Sequence, residues 1–154
     1  EIRLNAEALT RIMHAAITAM VPRGIGYVLN VSSVASFQAS PGLAVYSATK
    51  AYVTSLTEGV AEELRHTGVR VTALCPGLTK TEFQSISNTS GIATAFPDFV
   101  WTSVPMVART GLRAVAEGKT LAVPGLLYKV LVGVSTILPR GASRKITRLI
   151  TRRA

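Results

Sequence analysis

The sequence predicts an α/β fold in which crossover helices link three parallel strands. Three short apolar runs, at residues 27–31, 69–75 and 120–124, are typical of strands buried on both faces. Segments with helical periodicity alternate with these runs, as parallel strands require. Hydrophobic residues make up 48% of the 154 residues and charged residues 16%, which excludes a disordered chain. The length is that of one domain, or of part of one.

The first helix and the first strand have clear limits. Apolar residues recur at helical spacing from Leu4 to Met20, and Pro22 and Gly24 end the pattern. The first apolar run then ends in a pair of serines, and a loop of small and polar residues follows. After the second helix, Gly68 is expected at the C-terminal cap.

The same spacing predicts which faces of the later helices are buried. In the second helix the apolar stripe consists of Tyr52, Leu56, Val60 and Leu64. In the third helix, which Ser103 and Pro105 open, it consists of Val107, Gly111, Leu112 and Val115. Residues 82–103 are rich in small and polar residues and are predicted to form a functional loop such as a lid.

The net charge of +9 is concentrated at the C-terminal end of the chain. No acidic residue follows Glu117, whereas these basic residues do: Lys119, Lys129, Arg140, Arg144, Lys145, Arg148, Arg152 and Arg153. We therefore interpret residues 1–125 as one unit and residues 126–154 as a basic, apolar helical extension. Such an extension meets anionic surfaces or only water.

Two interpretations of this extension stay open. Its apolar residues predict a stripe that contacts a membrane surface or a protein partner: Leu126, Leu127, Val130, Leu131, Val134, Ile137 and Leu138. Alternatively the stripe packs on the domain as an extra helix and the basic end lies in water. The run is too short to span a bilayer, which takes about 20 apolar residues.

Cysteine and histidine are too scarce for a disulfide framework or a histidine-based metal site. Cys75 is the only cysteine, and His14 and His66 are the only histidines. Cys75 is interpreted as a buried strand residue. The expected location is the cytoplasm, with the membrane surface as a second place of contact, and no metal ligands are predicted.

Tyr46 and Lys50 carry the clearest chemical signal in the sequence. Four residues apart on a helix, they lie on one face. A free tyrosine has a pKa of about 10, and a nearby ammonium group favours the phenolate. A Tyr-x-x-x-Lys pattern on a helix usually consists of two exposed side chains with no catalytic role. Here, however, the tyrosine follows a strand that ends in Ser32-Ser33, and the next strand ends in Pro76-Gly77.

With these motifs the chain resembles the short-chain dehydrogenase/reductase family over nearly its whole length. The matching segments are NVSS at 30–33, YSATK at 46–50 and CPGLTKT at 75–81. Counting back thirteen residues from Tyr46 selects Ser33, whereas Ser32 is interpreted as a strand end that satisfies backbone groups. The resemblance implies a partial Rossmann-type doubly wound parallel sheet.

The resemblance also implies the site residues and their roles. Tyr46 would exchange a proton with the substrate oxygen, Lys50 would lower the pKa of Tyr46, and Ser33 would donate to the carbonyl oxygen. Asn5 would hold a proton-relay water, although an N-terminal helix cap is an alternative role. The residues implied to contact the cofactor are Tyr46, Lys50, Pro76, Gly77, Leu78, Thr79 and Thr81.

The implied activity is hydride transfer between NAD(P)(H) and a carbonyl or secondary alcohol. NADP(H) is slightly favoured by the resemblance, and the expected partners are a small-molecule substrate and further copies of the chain, with no nucleic acid. A different class stays open: a non-catalytic interaction protein on the same scaffold, whose basic tail binds a membrane or an acidic partner.

One family motif is not found in the sequence. The Gly-rich Thr-Gly-x-x-x-Gly-x-Gly turn, which binds pyrophosphate at a helix N-terminus, has no match. The chain begins at Glu1 without a methionine. We therefore expect a fragment that lacks about the first 100 residues of a family member and is inactive alone.

Overall fold

The computed structural model describes residues 1–80, 97–138 and 141. The helices are α1 (Leu9–Met20), α2 (Ala44–Glu63), α3 (Val104–Ala116) and α4 (Leu126–Ile137). The strands are β1 (Gly26–Val31), β2 (Val69–Leu74) and β3 (Leu121–Ala122). A π-helical turn, Arg3–Ala8, leads into α1, and short 3₁₀ turns cover Val21–Arg23, Val34–Phe37 and Asp98–Val100. Most of the loop predicted at 82–103 lies outside the described residues.

The described strands form one parallel sheet in the order β1-β2-β3. In the register of β1 against β2, Gly26 is opposite Val69 and Val31 is opposite Leu74. The predicted α/β class and the parallel sheet are confirmed. The prediction that β1 is buried on both faces is wrong, because Tyr27 and Val31 are about half exposed at the edge of this sheet.

Helices pack on both faces of β2. On one face Met13 of α1 and Leu64 pack with Val69 and Val71. On the other face α3 approaches so closely that a Cβ on Gly111 would lie 2.8 Å from Leu74 Cδ2. The sheet is therefore covered on both sides, as expected for parallel strands.

Three details of the helix predictions are wrong. Tyr52 is 41% exposed and Leu112 is 63% exposed, so neither belongs to the buried stripe of its helix. The buried face of α2 is instead largely polar and includes Thr54 and Thr57, because threonine hydroxyls can bond to helix carbonyls and to neighbouring elements. Gly68 has a positive φ of 75°, but it lies in the turn before β2, since α2 already ends at Glu63.

Helix α4 covers the carboxyl end of the sheet. Its Tyr128 and Val132 are buried against Ala73, Cys75 and Val123. This contact supports the interpretation of residues 126–137 as an extra helix that packs on the domain. Among the described helices, none is long and apolar enough to cross a membrane.

Candidate active site

The candidate site lies where β1 and β2 end side by side. The backbone N–H of Ser32 donates to the carbonyl of Leu74 (2.7 Å), and that of Val34 donates to the carbonyl of Pro76 (3.0 Å). The segments that follow β1 and β2 therefore stay hydrogen-bonded to each other beyond the ends of the two strands. As a result, the Ser-Ser pair lies next to the Pro-Gly segment, at the edge where ligands bind in parallel α/β sheets.

The start of α2 brings Tyr46 and Lys50 to the end of β1. Lys50 Nζ donates to the carbonyl oxygen of Val31 (2.9 Å) and lies 5.7 Å from the centroid of the Tyr46 ring. The side chain of Ser33 lies near enough to the Tyr46 hydroxyl to lower its pKa. The structure thus brings together Ser33, Tyr46 and Lys50, which are three of the four residues predicted to be catalytic.

The neighbouring serines have different surroundings. Ser33 Oγ accepts from the backbone N–H of Ala35 (3.1 Å) and so caps the 3₁₀ turn that follows β1. Ser32 Oγ points the other way: it donates to the carbonyl oxygen of Lys50 (2.8 Å) and bonds to Thr54 Oγ1 (2.7 Å). Because alternate residues of an extended chain point to opposite sides, only Ser33 faces Tyr46.

Asn5 lies in the π-helical turn before α1. Its Nδ2 donates to Thr49 Oγ1 (3.2 Å), and that hydroxyl in turn donates to the carbonyl oxygen of Tyr46 (2.8 Å). Asn5 is inside the helical segment, so its alternative role as an N-terminal cap is wrong. The contact attaches the π turn to α2 one residue before Lys50, and such turns are frequent at functional sites.

Burial controls the charge states at the site. Burial raises the pKa of Tyr46 above its usual value, and the side chain of Ser33 acts in the opposite direction. Burial likewise lowers the pKa of Lys50, because it penalises the ammonium form. The pKa of Tyr46 is thus shifted opposite to the direction expected from Lys50, and Tyr46 in this chain is a neutral phenol at neutral pH.

The segment after β2 is held from two sides. The hydroxyl of Tyr128 accepts from the backbone N–H of Leu78 (2.9 Å) and donates to the carbonyl oxygen of Val100 (2.8 Å). Thr79 Oγ1 bonds to Thr102 Oγ1 (3.0 Å). These contacts fix Leu78 and Thr79, and the bond between Val34 and Pro76 places this segment next to Ser33.

The predicted cofactor residues can be tested against this geometry. A Cβ at position 77 would lie 2.1 Å from the Tyr128 ring. A glycine at this position therefore lets α4 pack closely on the segment. The other predicted cofactor residues that the structure describes are Tyr46 and Lys50 at the start of α2, and residues 76–79, which follow β2. Thr81 lies outside the described residues. Within the described part of the chain, no group of His, Cys, Asp and Glu side chains could hold a metal ion.

Sequence reasoning missed three residues that build the site. Thr49 and Thr54 link α2 to Asn5 and to Ser32, and Tyr128 fixes the segment after β2. Threonines that recur on one face of α2 were a usable signal, because their hydroxyls need partners when buried. The single aromatic residue of α4, Tyr128, was a second signal, since a buried tyrosine hydroxyl usually finds a partner.

The fold and these residues define an α/β protein with a tyrosine–lysine pair at the carboxyl edge of a parallel sheet. The family model for short chain dehydrogenases matches residues 1–90. The chain belongs to the short-chain dehydrogenase/reductase family, which confirms the resemblance seen in the sequence.

Individual relatives agree with the family. The chain is 34% identical over 89 residues to an uncharacterized oxidoreductase of Staphylococcus aureus, covering 58% of this chain and 38% of the relative. It is 34% identical over 133 residues to an uncharacterized oxidoreductase of Myxococcus xanthus, covering 84% of this chain and 51% of the relative. Among solved structures, a short-chain dehydrogenase from Sphingobium yanoikuyae in complex with NADPH has a TM-score of 0.70 at 29% identity. That match covers 90% of this chain and 56% of the other, so the chain spans about half the length of these relatives or less.

Proposed function

We propose that the whole protein is an NAD(P)-dependent oxidoreductase that interconverts a carbonyl compound and a secondary alcohol. The observation that carries this proposal is the arrangement of Ser33, Tyr46 and Lys50: a serine side chain that acts on the tyrosine hydroxyl, with an ammonium group 5.7 Å from the centroid of the tyrosine ring. A phenol and a hydroxyl that converge on one point can bind one carbonyl oxygen between them.

Each of these residues has a separate task in the proposed reaction. During reduction Tyr46 Oη gives its proton to the substrate oxygen, a step for which the neutral phenol is the required form. Ser33 Oγ donates a hydrogen bond to the same oxygen while negative charge develops there. The ammonium of Lys50 then stabilises the phenolate that remains. When bound, the nicotinamide cofactor supplies or accepts the hydride.

The role of Asn5 is indirect in this proposal. Its amide is bonded to Thr49 and through it to the backbone at Tyr46, so it holds the first turns of α2 in place. Proton relay through a water near Asn5 and Lys50 belongs to the proposal as well. Pro76, Gly77, Leu78, Thr79 and Thr81 are proposed to line the nicotinamide.

The finer properties of the cofactor and the assembly are also proposals. A structural neighbour is described as a complex with NADPH, which favours NADP(H) over NAD(H) for the whole protein. We propose that the whole protein is a homo-oligomer. We also propose a cytoplasmic location, because its expected partners are a dinucleotide and small molecules.

The test of this function is Tyr46→Phe in the whole protein. A general acid–base group contributes ~10²–10⁴-fold to the rate, so we expect kcat to fall by that factor. Affinity for NADPH, measured by fluorescence titration, is expected to stay nearly constant, because the ring still fills the same space. Turnover is followed as oxidation of NADPH with a panel of small ketones.

Tyr52→Phe is the matched control for this experiment. Tyr52 lies on the same helix, but its hydroxyl is bonded to Thr10 Oγ1 (2.7 Å) on the exposed side. We expect this variant to retain full turnover. Equal kcat values for Tyr46→Phe and the unaltered protein would refute the assignment. A whole protein that binds NADPH but turns over no carbonyl compound would favour the non-catalytic class.

We further propose that residues 1–154 alone bind NADPH weakly and show no turnover. The sequence has no match to the Gly-rich turn that binds pyrophosphate, and β1 presents an unpaired edge within the described sheet. Calorimetric titration with NADPH tests this proposal directly. Micromolar binding by the 154-residue chain would contradict it.

A further inference from the structure

Helix α4 presents an apolar face that no described residue covers. We use the name "outer face of α4" for its large exposed side chains: Leu126, Leu127, Val130, Leu131, Val134 and Ile137. Their spacing places them on one side of the helix, opposite the buried Tyr128 and Val132. Leu126 is 78% exposed and Ile137 85% exposed, and contiguous apolar patches of this kind usually mark an interaction surface.

The charged residues of α4 and of the sequence that follows it are all basic. Lys129 is exposed on α4 itself, and six basic residues follow the helix in the sequence: Arg140, Arg144, Lys145, Arg148, Arg152 and Arg153. No acidic residue occurs after Glu117. A partner that complements this region must therefore combine an apolar layer with negative charge.

We propose that the outer face of α4 binds the surface of an anionic phospholipid membrane. A helix with one apolar face can lie in the plane of the membrane interface with that face among the acyl chains. Anionic headgroups lie just above that depth, where they attract lysine and arginine residues. Binding by such a helix strengthens with the apolar area that it buries and with the attraction of basic residues to anionic lipids, and this chain carries both features.

A second copy of the chain is a poorer occupant of the same face. Two outer faces packed against each other around a twofold axis would bring together two chains that each carry a net charge of +9. Like charges placed across an interface are unfavourable. An anionic lipid surface removes this repulsion.

The experiment is flotation of the whole protein with vesicles of two compositions. One set is pure phosphatidylcholine, and in the other about a quarter of the lipid is phosphatidylserine. We expect the protein to float with the anionic vesicles only. Raising the salt from about 0.1 M to about 1 M is expected to release most of it, because the Debye length falls from about 10 Å to about 3 Å.

Point variants test the two features separately. Leu131→Glu combined with Ile137→Glu places charge on the outer face of α4, and we expect it to abolish flotation. Arg144→Gln combined with Arg148→Gln is expected to weaken partitioning about five-fold per residue. Truncation after Gly125 is less suitable, because it would also remove Tyr128 and Val132 from the core.

Matched controls make the same chemical changes on α3. Leu112→Glu alters a leucine that is 63% exposed, and Arg109→Gln removes an exposed positive charge. Both are expected to float like the unaltered chain. Circular dichroism of every variant verifies that the helices are intact.

Three outcomes would overturn the proposal. The first is equal flotation with neutral and anionic vesicles, and the second is an unchanged partition of the Leu131→Glu/Ile137→Glu variant. The third is a dimer in sedimentation equilibrium that this variant dissolves, combined with no vesicle binding, which would assign the face to a second copy.

Discussion

The end of β1 and the helix α4 are attached to the sheet in different ways. At the end of β1, several side-chain bonds connect the strand to α2: Lys50 Nζ bonds to the carbonyl of Val31, and Ser32 Oγ bonds to the carbonyl of Lys50 and to Thr54 Oγ1. On α4, the hydroxyl of Tyr128 alone bonds to two segments, while its ring fills the space above Gly77. The hydrogen bonds of the first attachment are shared among several residues, whereas the described hydrogen bonds from α4 to other elements pass through Tyr128, and Val132 adds an apolar contact. Single substitutions should therefore disturb α4 more than the end of β1.

Gly77→Ala is expected to give the largest loss of stability. A Cβ at this position would lie 2.1 Å from the Tyr128 ring, so the ring must move and both of its hydroxyl bonds are strained. Overpacking costs about 1–3 kcal/mol, and the loss of hydrogen bonds adds to it, so we expect about 3 kcal/mol or more. Urea denaturation measures the change in the free energy of unfolding.

Gly59→Ala is the control for this substitution. Gly59 lies within α2, and a Cβ there would meet nothing within 4 Å. Alanine in a helix interior is favoured over glycine by roughly 0.5–1 kcal/mol, so this variant should be slightly more stable. If Gly77→Ala also left the urea midpoint unchanged, α4 would not depend on the contact with Gly77.

Tyr128→Phe is expected to have an intermediate effect. The ring still packs in the core, but the backbone N–H of Leu78 and the carbonyl of Val100 lose their shared partner. Leaving partly buried groups without a hydrogen bond costs about 1–3 kcal/mol. Tyr52→Phe removes an exposed hydroxyl and should change the free energy of unfolding by less than about 0.5 kcal/mol. Similar losses in the two variants would show that the Tyr128 hydroxyl has no special role.

Much of the fold could be predicted because it follows from local pattern. The three apolar runs define the strands, and Pro22, Gly24 and Ser103 mark helix ends that the structure confirms to within a few residues. The faces of the helices were harder to predict, since Tyr52 and Leu112 are apolar or amphipathic yet exposed. Burial depends on which elements are neighbours, and periodicity alone does not contain that information.

In the candidate site, too, the residues could be predicted from the sequence but their contacts across the fold could not. Tyr46 and Lys50 could be singled out from their spacing and context, and Ser33 from the resemblance to the family; the structure places all three at the end of β1. The bonding partners of Thr49 and Tyr128 could not be predicted from the sequence, because each bond joins segments that are far apart in the chain. The direction of the Tyr46 pKa shift was also missed, because desolvation depends on the depth of burial in the folded chain.

Ser32→Ala is expected to have the smallest effect of the three, and it tests whether the attachment of β1 is distributed. The hydroxyl of Ser32 is buried and bonds to the carbonyl of Lys50 and to Thr54 Oγ1, yet Lys50 Nζ still holds Val31 when it is removed. A typical intramolecular hydrogen bond contributes about 0.5–1.5 kcal/mol, so we expect a loss of about 1 kcal/mol in the free energy of unfolding. Ser55→Ala, an exposed serine on α2, is the control and should change it by less than about 0.5 kcal/mol. Thr54→Val and the double variant complete a cycle in which the two losses should not add, because both remove the same bond. A loss for Ser32→Ala larger than that for Tyr128→Phe would reverse the comparison, since the end of β1 would then depend on a single residue.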